Sequence, residues 1–177
     1  MQAVRASSVN IEIISDGSDE DENLETLIAT LERFKVTVSQ TLAEFIEKQN
    51  SSKYPPKVLV YDCNMPWALD VAKKYGLDGA PFFTQSCAVN VIYYHLLQGT
   101  IKLPLEGPTV SLPSLPTLAM NDLSSFLSDP GSYPVLLNLA LEQFSNFQDA
   151  KWIFFSSCKD FEHEVSLQSI YIYIYLA

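Results

Sequence analysis

The sequence predicts an α/β protein with a Rossmann-like parallel sheet and flanking helices. The pattern changes from a strand at residues 58–61 to a helix beginning near Pro66, then to a strand at 80–83 and a helix at 85–97. Residues 58–61 are continuously apolar, which is typical of a parallel strand covered on both faces. Strand, helix, strand and helix in this order indicate a βαβ unit with a right-handed crossover.

The first half of the chain predicts one long helix. Apolar residues recur with a spacing close to 3.6 from Leu24 to Ile46, so we expect an amphipathic helix that ends near residue 48. The acidic stretch 15–23 precedes it, where negative charge favours a helix N-terminus. Residues 9–14 predict a short strand ahead of that loop.

The second half predicts shorter elements. Residues 99–118 contain four prolines, which predicts an irregular apolar loop packed on the domain. Short helices are expected near residues 123–127 and 134–147, and a buried strand at 152–155. Residues 166–177 end in an uncharged Ile/Tyr alternation that is β-prone and an aggregation hazard as a free tail. We interpret this tail as the end of a truncated reading frame.

Composition and charge exclude several classes of function. The 177 residues include 11 basic and 21 acidic side chains, a formal net charge of −10, which argues against nucleic-acid or anionic-membrane binding. No apolar run reaches the 18 or so residues of a membrane span. The first ten residues do not resemble a signal peptide, and the three cysteines lack C-x-x-C spacing. A reducing, cytoplasmic location without stable membrane insertion is the expectation.

Two polar residues follow the predicted strands of the βαβ unit. Asp62 comes directly after residues 58–61, and Thr84 comes directly after residues 80–83. Open α/β sheets bind ligands at the carboxyl ends of their strands. Asp62 could hold an imidazole that acts as a general base, or it could cap the next helix or satisfy loop amides. Thr84 could bind a sugar or phosphate oxygen, or it could cap the helix at 85–97.

The other reactive side chains form no recognisable motif. His95 lies in an aromatic helix and His163 between two glutamates, and neither has metal-ligand spacing. No metal site is expected, and the loops that define dinucleotide, P-loop and α/β-hydrolase proteins are missing. We expect the cysteines to be small buried groups. An aromatic set could line an apolar pocket, although core packing is expected for most of it: Tyr93, Tyr94, Tyr133, Phe144 and Phe147.

Residues 58–95 resemble the N-terminal domain of the plant family 1 UDP-dependent glycosyltransferases. The segment reads VLVYDCNMPWALDVAKKYGLDGAPFFTQSCAVNVIYYH. The later pieces SLPSLPTLAMNDLSSFL and GSYPVLLNLALEQFSN, and the acidic ISDGSDED, are similar to the same family. The resemblance runs from about residue 11 to residue 161 and extends especially to the branch that glucosylates salicylate, auxin-like acids and other small hydrophobic acceptors.

The resemblance implies the incomplete N-terminal half of a GT-B fold. Residues 1–165 would be a partial acceptor-binding domain and residues 166–177 a divergent tail. Members of the family invert the sugar configuration without a metal or other cofactor, using a UDP-sugar as co-substrate. By motif, Asp62 matches the aspartate that steadies the catalytic histidine, and Thr84 matches the threonine that meets the donor. Tyr93, Tyr94 and Tyr133 fall where acceptor pockets are usually lined.

The sequence also departs from the family pattern. The glycine-histidine loop that carries the base should precede residue 9, and the donor-binding box of the C-terminal domain is not found. We therefore expect a UDP-glucosyltransferase acceptor half with negligible turnover alone, and unpaired backbone on the strand at 58–61 or its neighbour. The alternative is a non-catalytic module that binds a small molecule, or a pseudoenzyme. The acceptor, the sugar and the oligomeric state are left open.

Overall fold

The computed structural model describes residues 11–16, 26–157, 160, 162 and 165. Its helices and strands, in chain order, are α1 (Leu27–Asn50), β1 (Val58–Asp62), α2 (Trp67–Lys74), β2 (Asp78–Phe83), α3 (Cys87–Leu97), β3 (Thr109–Val110), β4 (Leu118–Ala119), α4 (Ser125–Ser128), α5 (Pro134–Glu142) and β5 (Phe154–Phe155). Single 3₁₀ turns occur at Met120–Asp122 and Phe147–Asp149. The predicted long helix and βαβ unit are both present.

The described domain contains a three-stranded parallel sheet. Its strand order is β1-β2-β5, with Val58 paired with Asp78 and Asp62 paired with Phe82. The strand β5 continues the sheet through Phe82 and Phe154. The loop between α3 and α4 is mostly irregular, as predicted, and adds only the two-residue antiparallel pair of β3 and β4.

Two glycines have defined roles in the βαβ unit. Gly76 ends the second helix with φ of +72°, a left-handed conformation that glycine adopts without a Cβ clash. Gly79 lies under α2, and a Cβ there would come 2.1 Å from Leu69 Cδ1. Leu69 is almost completely buried. The helix α2 therefore packs on the sheet at a position where a Cβ would clash with a buried leucine.

The main core lies between α3, the 99–118 loop and α5. Phe83 stacks on Phe144 and Phe155, with ring centroids 5.7 and 5.3 Å apart. Ile101 and Leu112 carry the proline-rich loop into the same cluster. The loop is thus packed on the domain, as its apolar content predicts.

The sequence prediction that β1 is covered on both faces is wrong. Val60 is 55% exposed, and Val58, Phe82 and Phe154 on the same face are also exposed. Among the described strands, β1 is paired only with β2 and forms the edge of the sheet. Its backbone is therefore unpaired on one side there, which agrees with the expectation for this strand.

The strand predicted at residues 9–14 is not found in the part of it that the structure describes. The described residues 11–16 contain no strand, and Ile13 is 95% exposed. Their contacts are with α1 instead: Lys48 bonds Glu12 at 3.4 Å, and Arg33 donates to the Asp16 carbonyl at 3.3 Å.

The strand predicted as buried at 152–155 is reduced to the two residues of β5. Trp152 and Phe154 are exposed. Several subjects of the sequence predictions lie outside the described residues: residues 9 and 10, most of the acidic stretch (17–23), Cys158, His163 and the tail at 166–177.

Candidate functional site

Asp62 lies half-buried at the carboxyl end of β1. Its Oδ1 accepts hydrogen bonds from the backbone N–H and the side-chain amide of Asn64, at 2.8 and 3.0 Å. The Asp62 carbonyl accepts from Met65 N–H at 2.8 Å, which completes a tight turn into α2. One of the alternatives, that Asp62 satisfies loop amides, is therefore realised through Oδ1. The carboxylate is oriented by this turn at the edge where parallel sheets bind ligands.

Thr84 lies at the same edge of the sheet. It directly follows Phe83, the last residue of β2, and its side chain is exposed. The N–H of Cys63 donates to the Phe82 carbonyl at 3.1 Å, which joins the residue after Asp62 to the penultimate residue of β2. Asp62, the last residue of β1, and Thr84, directly after β2, therefore lie at the same end of two adjacent parallel strands.

The alternative that Thr84 caps α3 is wrong. The helix begins at Cys87, and the N-cap is Ser86, whose hydroxyl accepts from Val89 N–H at 3.3 Å. The predicted start near residue 85 was two residues early, and a serine at the next suitable position takes the cap. The exposed Thr84 hydroxyl is left on the turn between β2 and α3.

Cys63 is the buried residue that directly follows Asp62. It is buried, and its thiol donates to Gln143 Oε1 at 3.2 Å. Burial, together with the negative charge of Asp62, raises the pKa of the Cys63 thiol to about 11. Because the thiolate is the reactive form, Cys63 is a packed structural thiol and not a nucleophile.

The three tyrosines predicted for an acceptor pocket differ in burial. Tyr93 and Tyr94 are buried in the core, where Tyr93 Oη bonds Ser124 Oγ at 3.0 Å and Tyr94 packs against Phe144. Tyr133 is 44% exposed and contacts Phe126. Burial of the first two favours the core-packing alternative, and the acceptor role of Tyr133 stays a prediction.

His95 lies near the end of α3, against the Tyr94 ring. Burial lowers its pKa, which favours the neutral imidazole at neutral pH. In the described part of the chain, no group of three or more His, Cys, Asp or Glu side chains could hold a metal ion. The described helices also include none that is long and apolar enough to cross a membrane.

Sequence reasoning missed two side chains at this edge. Asn64 stands two residues after Asp62, and the D-x-N spacing is a recognisable signal for a side-chain turn. Glu162 bonds the first two amides of α3, at 3.0 and 3.1 Å. No local pattern predicts that contact, because 75 residues separate it from Cys87.

The chain is similar over nearly its whole length to plant glycosyltransferases. Mogroside I-E synthase of Siraitia grosvenorii is 46% identical over 165 residues, 93% of this chain and 36% of that protein. UDP-glycosyltransferase 74F2 of Arabidopsis thaliana is 41% identical over 166 residues, 91% of this chain and 35% of that protein. The chain belongs to the plant UDP-glycosyltransferase family. A comparison with protein-family models finds no match.

The solved structures agree with this membership. Os79 from O. sativa in complex with UDP has a TM-score of 0.78 at 26% identity, covering 94% of this chain and 38% of that chain. The predicted fold class, an α/β Rossmann-like parallel sheet forming part of a GT-B glycosyltransferase, is thus confirmed. The chain spans about a third of the length of the relatives that it matches.

Proposed function

We propose that this chain forms the acceptor side of an inverting UDP-glycosyltransferase. The reaction would move glucose from UDP-glucose to a small hydrophobic acceptor with a hydroxyl or carboxyl group. The histidine base and most of the donor pocket would come from residues outside this sequence. The chain alone would therefore have negligible turnover.

The observation that carries the proposal is the position of Asp62 and Thr84. Asp62 ends β1 and Thr84 directly follows the adjacent parallel strand β2, and Asn64 fixes the Asp62 carboxylate. A carboxylate held in this way can orient an imidazole and stabilise the imidazolium that forms during proton transfer. The exposed Thr84 hydroxyl can donate to, or accept from, an oxygen of the sugar or phosphate.

The chemistry is a direct displacement at the anomeric carbon. The histidine would take the proton of the acceptor oxygen, which then forms a bond to C1 of glucose as the bond from C1 to the UDP oxygen breaks. Asp62 would stabilise the protonated imidazole, and UDP would leave with the electron pair of the broken bond. Positioned proton transfer of this kind contributes about 10²–10⁴-fold to a rate.

Relatives support the substrate classes without fixing the acceptor. Os79 has been solved with UDP and with UDP plus deoxynivalenol-3-glucoside. Mogroside I-E synthase, by its name, makes mogroside I-E. The printed names give no common acceptor, so we propose only a small, largely apolar acceptor for the present chain.

A chimera tests the proposal. Residues 26–157 of this chain would replace the matching segment of the Siraitia grosvenorii synthase, which is similar enough to accept them. We expect the folded chimera to release UDP from UDP-glucose in the presence of a phenolic or terpenoid acceptor. The parental synthase and the isolated 177-residue chain are the positive and negative controls.

Two outcomes would count against the proposal. A folded, monodisperse chimera that binds UDP-glucose but releases no UDP with any acceptor would contradict it. Saturable binding of a phenolic ligand by the 177-residue chain, combined with an inactive chimera, would favour the non-catalytic module instead.

A further inference from the structure

The first turn of α3 is capped by the carboxylate of Glu162, which lies near the C-terminal end of the described chain. Glu162 Oε2 accepts from Cys87 N–H at 3.0 Å, and Oε1 accepts from Ala88 N–H at 3.1 Å. Ser157 Oγ donates to Oε2 at 2.6 Å. One half-buried carboxylate therefore accepts from three donors.

This arrangement satisfies the whole N-terminus of the helix. The first four amides of an α-helix have no partner within the helix. Here Val89 N–H bonds the Ser86 hydroxyl and Asn90 N–H bonds the Ser86 carbonyl, while Glu162 takes the first two amides. The negative charge also interacts favourably with the helix dipole. Glu162 and Ser86 thus divide the capping between them.

The turn that carries Thr84 is held on both sides. On its N-terminal side, the Phe83 carbonyl accepts from Ser156 N–H at 2.9 Å. On its C-terminal side, Glu162 binds Cys87 and Ala88, only three and four residues beyond Thr84. Both contacts come from the segment that follows β5. The side-chain amide of Asn90, on α3, additionally donates to the carbonyl of Gln85 in the turn, at 3.3 Å.

We propose that Glu162 is a positioning residue that fixes the Thr84 turn by binding the first two amides of α3. The proposal rests on the role of Thr84 in the proposed function, but its structural part stands without it. Glu162 acts through the backbone of Cys87 and Ala88 and needs no contact with either substrate. Loss of its charge would leave two amides of α3 without a charged acceptor, and the preceding turn would then move more freely.

The first test follows amide resonances of the 177-residue chain by NMR as the pH falls. In the native chain, Cys87 and Ala88 should titrate together with one apparent pKa below that of an ordinary glutamate. Glu162→Gln should abolish this titration and leave the Val89 amide, which bonds Ser86, almost unchanged. Glu106→Gln removes the same charge at an exposed position in the 99–118 loop and should change neither resonance.

The second test uses the chimera extended to residue 165, so that it contains Glu162. Glu162→Gln should raise the KM for UDP-glucose about three- to tenfold, the effect of one hydrogen bond, with a smaller change in kcat. Thr84→Ala should raise it to a similar extent. The double variant should then be no worse than Thr84→Ala alone, because residues that act as one unit are not additive.

The two tests separate the possible failures. Unchanged titration of Cys87 and Ala88 in Glu162→Gln would overturn the anchoring contact, whatever the activity. If Glu162→Gln abolishes the titration but its effect on the KM for UDP-glucose adds fully to that of Thr84→Ala, the positioning role is overturned. A chimera without any activity would contradict the proposed function but leave the NMR result standing. Ser157→Ala, which removes one donor to the same carboxylate, should raise the apparent pKa seen at both amides.

Discussion

Asp62 and Asn64 form a paired turn in which one carboxylate oxygen binds both the backbone and the side-chain amide of the asparagine, at 2.8 and 3.0 Å. The turn joins the end of β1 to α2 and sets the direction of the carboxylate. A substitution at position 64 removes the hydrogen bond from the side-chain amide and leaves the hydrogen bond from the backbone N–H.

The first prediction concerns this turn. Asn64→Ala should lower the free energy of unfolding of the chain by about 0.5–1.5 kcal/mol, the net effect of one hydrogen bond. In the chimera it should lower kcat several-fold with little change in the acceptor KM, because the carboxylate is less well oriented. Chemical denaturation and steady-state kinetics measure the two effects.

Asn64→Asp serves as the companion variant. The new carboxylate cannot donate a hydrogen bond to Asp62 and would repel its charge. In the chimera, kcat should therefore fall at least as far as in Asn64→Ala. A folded Asn64→Asp variant with the kcat of the parent chimera would argue that this turn does not orient the Asp62 carboxylate.

The second prediction concerns the contact between α2 and the sheet. Gly79→Ala should destabilise the chain by about 1–3 kcal/mol, because the new Cβ would lie 2.1 Å from Leu69 Cδ1 and Leu69 is buried on all sides. Gly107→Ala is the matched control, since a Cβ there meets nothing within 4 Å. Equal stability of the two variants in urea denaturation would mean that α2 does not pack as described.

The third prediction concerns the exposed edge strand. Val60→Lys should reduce self-association of the chain, because a charged residue blocks edge-to-edge pairing. Val60 is largely exposed, so the unfolding free energy should change by no more than about 0.5 kcal/mol. Light scattering across a concentration series would measure association.

Leu59→Lys provides the contrast for this strand. Leu59 packs against the clusters around Ile46 and Tyr61, so burying a charge there should destabilise the fold. If Val60→Lys destabilises the chain as strongly as Leu59→Lys, the Val60 face is covered in solution and the exposed-edge account is wrong.

The fourth prediction is a pH dependence. Burial alone would raise the pKa of Glu162, but hydrogen bonds from Ser157, Ala88 and Cys87 outweigh it and lower the pKa. The stabilisation is therefore fully present above the ordinary glutamate pKa of about 4.3 and is lost as the pH falls through the lowered value.

Glu162→Gln should remove this part of the pH dependence. Denaturation curves between neutral and acidic pH should show the native chain converging on the variant as the pH falls. A constant difference between the two proteins over the whole range would contradict a lowered Glu162 pKa.

The sequence predicts an element correctly where the residues that determine it lie within that element. The period of apolar residues predicts α1, and the βαβ order predicts β1, α2, β2 and α3, because each pattern reports a face that the element itself buries. Residues 9–14 have the composition of a strand, but a strand also needs a partner, and the described residues 11–16 contact α1 instead.

The same distinction applies to the site. The positions of Asp62 and Thr84 at the strand ends could be predicted because the end of a parallel strand is readable from the sequence. The exposure of Val60 could not, since an apolar run does not say what covers it. The contact of Glu162 with Cys87 and Ala88 joins distant segments through backbone amides, and such a contact leaves no trace in local composition.

The most direct test of the central claim is the kcat of the active chimera carrying Asp62→Asn. This change keeps the size of the side chain and removes the charge that would stabilise a protonated histidine. We expect kcat to fall by about 10²–10⁴-fold. Asp70→Asn, an exposed carboxylate on α2, should leave kcat within about twofold, in line with a surface substitution. A folded Asp62→Asn chimera with the kcat of its parent would contradict the role assigned to Asp62.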